Sequence, residues 1–259
     1  MMDMLQKNAP IAVFDSGLGG ISVLKELIAL MPGENYLYFG DSANAPYGNR
    51  PTAQVRQLTL DAAHSLLARG AKALVIACNT ATSAAIAMLR QEFPDKIIVG
   101  IEPALKVAAD RFPTGHIGVM ATQVTLREEK FAHQLERFPQ ARVSLIPAPG
   151  LVERVEAGEA NAPQTVALLQ SILGIYAGTL DALVLGCTHY PFAKAAIRQV
   201  LGEDVLLLDG GPGTARQTQR LLANAGLLHN GPGSVNIENS SPDPAILQRA
   251  NRMLVENSL

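Results

Sequence analysis

The sequence predicts an α/β protein of two equivalent halves, each built around a mostly parallel sheet, and three observations predict it. Short apolar runs alternate with longer amphipathic stretches, the rhythm of βαβ units. Two of the runs are near-copies: residues 72–80 read KALVIACNT and residues 181–189 read DALVLGCTH, so Cys78 and Cys187 hold equivalent positions. Hydrophobic residues make up 48% of the chain and charged residues only 17%, a balance that fits strands buried on both faces. At 259 residues the chain is long enough for one large domain or two small ones.

In chain order, Ile11–Phe14 reads as a short strand, followed by a glycine-rich loop and a helix from about Ile21 to Leu30. Tyr36–Phe39 is the next strand, and Thr52–Arg69 carries helical periodicity through Leu58, Ala62, Leu66 and Leu67. Ala73–Ala77 is a strand and Ala81–Phe93 a helix stopped by Pro94. Ile97–Ile101 and Ile117–Met120 are further strands, the second leading to a helix from about Leu126. Val143–Ile146 and Leu183–Leu185 follow, then a helix over Phe192–Leu201, a strand at Val205–Leu208 and a helix from about Gly213 to Ala225. Asn230–Pro244, rich in Gly, Pro, Asn and Ser, reads as the loosest region. The expected division puts residues 1–98 and 207–259 in a first domain carrying Cys78, and residues 99–206 in a second carrying Cys187.

Composition narrows the function. A net charge of −2 gives no reason to expect a nucleic-acid or membrane partner. No apolar run approaches the ~20 residues of a membrane span. Met1–Pro10 is polar and lacks the apolar centre of a signal peptide, which predicts a cytoplasmic protein. In that compartment two cysteines read as free thiols rather than a structural disulfide.

The loop Asp15-Ser-Gly-Leu-Gly-Gly20 joins a strand to a helix start, where backbone N–H groups can hold an anion. It lacks the third glycine of a dinucleotide fingerprint and suits a carboxylate better than a pyrophosphate. Gly210-Gly211-Pro-Gly213 reads as a packing turn. Each cysteine ends a buried run and is followed by hydrogen-bonding residues, Asn79-Thr80 or Thr188-His189, at what reads as the start of a helix. Carboxyl ends of parallel strands are where ligands bind in such folds, and a helix N-terminus favours the thiolate. Cys187-x-His189 is too tight for the usual zinc spacings. A single-cysteine nucleophile does not explain the second matched cysteine. Inert core thiols, a redox pair and an acid/base pair remain open on this pattern alone.

Four separated motifs, Asp15-Ser16-Gly-x-Gly-Gly, Pro46-Tyr47-Gly48, Ala77-Cys78-Asn79-Thr80-Ala81 and Gly186-Cys187-Thr188-His189-Tyr190-Pro191, resemble the cofactor-independent aspartate/glutamate racemase superfamily, and within it the glutamate racemases. The resemblance runs from about Ile11 to Arg220. It implies two pseudo-symmetric three-layer α/β/α domains with the active site in the cleft between them. It implies interconversion of L- and D-glutamate without cofactor or metal, feeding D-glutamate to peptidoglycan synthesis, and a homodimer whose interface cannot be read here. Carried over motif by motif, Cys78 deprotonates D-glutamate and Cys187 L-glutamate. Asp15 assists Cys78, while His189 with Glu153 assists Cys187. Asp15, Ser16, Tyr47, Gly48, Asn79, Thr80, Thr122, Thr188 and His189 hold the substrate. One departure stands out: Glu153 is followed by Arg154-Val155, where the family pattern has a small residue after the glutamate. His64, His116, His133 and His229 read as surface residues, and Glu102 as structural. The rival readings are a racemase for aspartate or another acidic amino acid, a one-thiol decarboxylase, and a non-catalytic amino-acid-binding paralogue.

Overall fold

A computed structural model describes residues 6–101, 104–127 and 135–256 of the chain; Glu102, His133 and the first five residues of Met1–Pro10 therefore lie outside the described residues. The elements run β1 (Ile11–Asp15), α1 (Ile21–Leu30), β2 (Asn35–Gly40), α2 (Thr52–Ala68), β3 (Ala73–Ile76), α3 (Asn79–Glu92) and β4 (Ile97–Gly100). They continue with α4 (Leu105–Arg111), β5 (His116–Ala121), α5 (Gln123–Arg127), β6 (Arg142–Pro147), α6 (Leu151–Glu156), α7 (Pro163–Leu173), β7 (Ala182–Leu185), α8 (Lys194–Leu201) and β8 (Leu206–Asp209). The last are α9 (Gly211–Asn224), β9 (Ser234–Asn239) and α10 (Pro244–Val255).

The chain forms two compact units: Met1–Ile101 with Gly211–Glu256, and Glu102–Gly210. In the first the sheet order is β4-β3-β1-β2-β9; in the second it is β6-β5-β7-β8. Every strand pair among the described residues is parallel. Read from its other edge, the second sheet runs β8-β7-β5-β6 and matches β4-β3-β1-β2 strand for strand, with β9 added only to the first. The repeat in the sequence is thus a repeat in topology. β3, which precedes Cys78, corresponds to β7, which precedes Cys187; β1, which ends at Asp15, corresponds to β5, which precedes Thr122.

The central strands β1, β3, β5 and β7 are buried at every position, as parallel strands covered on both faces must be. On one face of the first sheet, Ala12, Phe14, Leu74 and Ile76 pack with Val55, Ala63 and Leu66 of α2 and with Ala81, Ala85 and Leu89 of α3. The opposite side carries α1, where Tyr36 of β2 donates its hydroxyl to the Leu27 and Met31 carbonyls. In the second unit Ile117, Val119, Ala182 and Val184 pack against Leu105, Ala108 and Ala109.

The structure departs from the sequence reading in several places, and it adds the helices α4, α6, α7 and α10. The division expected at 98/99 and 206/207 would cut through β4 and β8; the units instead divide after those strands have paired. Asn230–Pro244 is not simply loose, because β9 pairs along β2 over six residues. As a half-exposed edge strand it has only Val235 and Ile237 as apolar residues, too few to register as a run. The helix expected over Phe192–Leu201 begins at Lys194, after a 3₁₀ turn over Tyr190–Ala193. His116 is buried, its ring between the Thr179 carbonyl and Ser144 Oγ, and His229 is half-buried against the Gly33 carbonyl. His64 does lie on the surface, beside Glu92.

Candidate active site

Each unit carries its own constellation at the carboxyl ends of its central strands. In the first, β1 stops at Asp15, whose carboxylate is fully buried and accepts the Gly17 N–H at 2.9 Å. The Gly17 carbonyl is in turn held by the Tyr38 hydroxyl from β2 at 2.8 Å. Gly20 is required here for space: a Cβ on it would stand 2.5 Å from Asp15 Cβ and 3.0 Å from Ala77 Cβ. The glycine-rich loop thus lies hard against the carboxyl ends of β1 and β3.

Cys78 follows β3 and is the N-cap of α3. Its sulfur accepts the Ala81 N–H at 3.4 Å, and its thiol donates to Ser16 Oγ, also 3.4 Å away. A helix N-terminus and a free backbone N–H both favour negative charge on this sulfur. Asn79, the next residue, is buried, and its Oδ1 accepts no hydrogen bond among the described residues. Tyr47, at the head of the 3₁₀ turn Tyr47–Asn49 that also contains Gly48, is buried and donates to Asp41 Oδ2 at 2.6 Å. Burial, the bond to Asp41 and the neighbouring charges of Asp41, Cys78 and Asp15 push its phenol far above the ordinary range. Tyr47 is therefore a neutral donor at any working pH. Thr80 is buried in the first turn of α3.

In the second unit the surroundings of the thiol are different. Cys187 and Thr188 are buried, and the helix expected immediately after them is replaced by the 3₁₀ turn, so α8 does not cap this sulfur. His189 takes that place, with its Nδ1 3.7 Å from Cys187 Sγ and its Nε2 2.8 Å from Glu156 Oε1. Burial works against a charged imidazole here. The hydrogen bonds to Cys187 and Glu156, with the charges of both, outweigh it and hold the His189 pKa well above its ordinary value. This direction favours the charged imidazole, in which one ring nitrogen faces the sulfur and the other the carboxylate. Gly186 is also fixed by space, since a Cβ there would stand 2.9 Å from Ala121 Cβ. Thr122, after β5, caps α5 through its Oγ, which lies 3.0 Å from Thr125 Oγ and accepts the Thr125 N–H at 3.4 Å.

The structure therefore assembles Asp15, Ser16, Tyr47, Cys78 and Asn79 in one unit, and Cys187, Thr188 and His189 in the other. It does not put Glu153 on His189. Glu153 is exposed on α6, and the carboxylate that reaches the imidazole is Glu156, one turn further along the same helix. The signal for this was in the sequence: Glu156 is followed by Ala157-Gly158, the small residues missing after Glu153. Asp41 was also missed; it follows β2 directly and orients Tyr47 and Asn44. Both cysteines are free thiols. Among the described residues no group of three or more His, Cys, Asp or Glu is placed to hold a metal ion, and no helix is long and apolar enough to cross a membrane.

With parallel α/β units of matching topology and a strand-end thiol in each, the chain belongs to the Asp/Glu/Hydantoin racemase family, whose profile matches residues 4–218. It is 44% identical over 252 residues to the glutamate racemase of Clostridium perfringens, covering 96% of this chain and 97% of that protein. With the glutamate racemase of Ectopseudomonas mendocina it shares 48% identity over 242 residues, covering 93% and 92%. The crystal structure of Francisella tularensis glutamate racemase in complex with D-glutamate superposes with a TM-score of 0.83 at 26% identity, covering 96% of this chain and 95% of that one.

Proposed function

We propose that the protein is a glutamate racemase that interconverts L- and D-glutamate by two-base proton transfer between its two cysteines. The observation that carries this reading is the pair of topologically equivalent strand ends, each bearing a thiol beside a group that stabilises its anion. Inversion at an α-carbon needs a base on one face and an acid on the other, and each must be held in place for efficient transfer. Cys78 takes the α-proton of D-glutamate and Cys187 that of L-glutamate, and the opposite thiol returns a proton to the other face. Asp15 serves the Cys78 side and His189, backed by Glu156, the Cys187 side. Asn79 supplies a buried acceptor for the substrate ammonium, which resolves its unpaired Oδ1. The hydroxyls of Ser16, Thr80, Thr122 and Thr188 supply donors for the carboxylates, while Tyr47, whose proton is held by Asp41, offers its oxygen as an acceptor to the ammonium, with Gly48 in the same turn. Donors aimed where charge develops stabilise the carbanionic transition state.

In this reading the enzyme works in the cytoplasm as a homodimer, without cofactor, and its D-glutamate goes to peptidoglycan. The test is incubation of the purified protein with L-glutamate in D₂O without additives, following optical rotation and α-deuterium together. Loss of rotation with deuterium uptake is the expected result. Tight glutamate binding without exchange from either enantiomer defeats the reading in favour of a binding protein, and exchange with aspartate alone transfers it to a sister substrate. Light scattering reads the oligomeric state.

A further inference from the structure

Four tyrosines are wholly or almost wholly buried: Tyr36, Tyr38, Tyr47 and Tyr190. Three have partners for their hydroxyls. Tyr36 donates to backbone carbonyls at 2.8 and 2.9 Å, Tyr38 to the Gly17 carbonyl at 2.8 Å and Tyr47 to Asp41 at 2.6 Å. Tyr190 has 0% of its surface exposed, and its hydroxyl makes no hydrogen bond among the described residues. Leaving a buried hydroxyl unpaired costs about 1–3 kcal/mol, and Phe would fill the same space without that cost. The orphan hydroxyl therefore calls for a partner that forms during turnover.

Its place in the fold says which. Tyr190 stands three residues after Cys187, opens the 3₁₀ turn that replaces a capping helix, and donates its backbone N–H to the Cys187 carbonyl at 3.1 Å. Burial, and then the fields of Cys187 and Glu153, hold the phenol well above its ordinary range, so it stays a proton donor throughout. The titratable groups facing Cys187 within its unit are His189 and Tyr190 from its own loop, with Glu156 and Glu153 behind them on α6. Cys78 has a helix N-terminus for its anion; among the described residues the hydrogen-bond partner of the Cys187 sulfur is a side chain, His189.

We propose that Tyr190 is a positioning residue for Cys187: its buried O–H is the donor kept for the thiolate that forms when Cys187 gives up its proton. The donor is idle against a neutral thiol and engaged against the anion, so it favours the charged state selectively. The role of that thiolate in turnover rests on the racemase reading; the donor's effect on the sulfur does not.

The test uses the full chain with Tyr190→Phe, together with 3-fluorotyrosine placed at position 190 as a stronger donor of nearly the same shape. Iodoacetamide labelling is followed against pH, with mass spectrometry to separate the Cys187 and Cys78 peptides. In Tyr190→Phe the pH of half-maximal Cys187 labelling rises by about one unit, and 3-fluorotyrosine lowers it, while Cys78 is unchanged in both. Tyr190→Phe also loses about tenfold in kcat/KM, equally in both directions because the equilibrium constant of a racemisation is one, and its Tm holds or rises. An unchanged Cys187 profile in both variants, or equal movement of Cys78, overturns the proposal. If the unaltered protein does not racemise glutamate, the racemase reading fails and the labelling still decides the role of Tyr190.

Discussion

At the scale of single residues, the two thiols are stabilised by different means. Cys78 relies on backbone, the Ala81 N–H at the start of α3; Cys187 relies on an imidazole that itself leans on Glu156. Glu156→Gln is accordingly expected to lower the His189 titration midpoint, read from its Cε1 proton by NMR, and to cut turnover by about 10–10²-fold. Glu153→Gln should leave the His189 titration in place, and a larger fall from Glu153→Gln than from Glu156→Gln would restore the sequence-based choice. The sign of the pH effect follows from the direction of the shift. The folded pKa of His189 lies above its unfolded value of about 6.5. Its stabilising contribution is therefore complete below about pH 6.5 and is lost as pH rises through the folded value. In Glu156→Gln that loss begins at lower pH, which thermal melts across the range will show. Asn79→Ala should raise KM about tenfold with a smaller change in kcat, because it removes an acceptor used equally in ground and transition states. The residues legible from sequence were those inside short, dense motifs, where the strand and the chemistry sit within a few positions of each other. Glu156 was misread as Glu153 because two glutamates on one short helix are told apart only by which turn meets the imidazole.

At the scale of elements, the central strands were legible because continuous apolar runs of four to six residues are what parallel, doubly covered strands require. What failed to show was peripheral. The helices α6, α7 and α10 and the edge strand β9 have one wet face each, so none forms a continuous apolar run, and β9 has only Val235 and Ile237 as apolar residues. The start of β3, at the end of the sheet away from Cys78, holds a different device. Lys72 and Glu34 form an ion pair with both side chains almost entirely buried, and Lys72 also donates to the Lys7 and Leu227 carbonyls. Glu34 accepts the His229 N–H as well, so the pair ties β3 to the turns before β2 and after α9. Lys72→Met should cost about 3–5 kcal/mol in denaturant unfolding, because it strands a buried carboxylate. Adding Glu34→Leu to that variant should recover part of the loss; no recovery would mean that packing, not charge, was removed.

At the scale of the whole molecule, the two units are made differently from the chain. The second is one continuous stretch, Glu102–Gly210, whereas the first needs Gly211–Glu256 to return and lay α9 beside α1 and β9 along β2. A fragment of residues 102–210 should therefore melt cooperatively by circular dichroism, while a fragment of residues 1–101 should not; the reverse pattern would overturn this account. The repeat of the two cysteine segments made the doubling of the fold legible. The return of the chain was partly so, since the reading placed the C-terminal stretch with the first half but set its boundary inside β8.

That return has a consequence for synthesis. On a ribosome adding roughly 5–20 residues per second, the half that emerges first cannot close until the last helix has left the exit tunnel. The half that emerges second has all its strands in hand earlier. For on the order of ten seconds the nascent protein carries β2 with an unpaired edge and α1 without its neighbour, so the window in which a chaperone is most useful belongs to the part translated first.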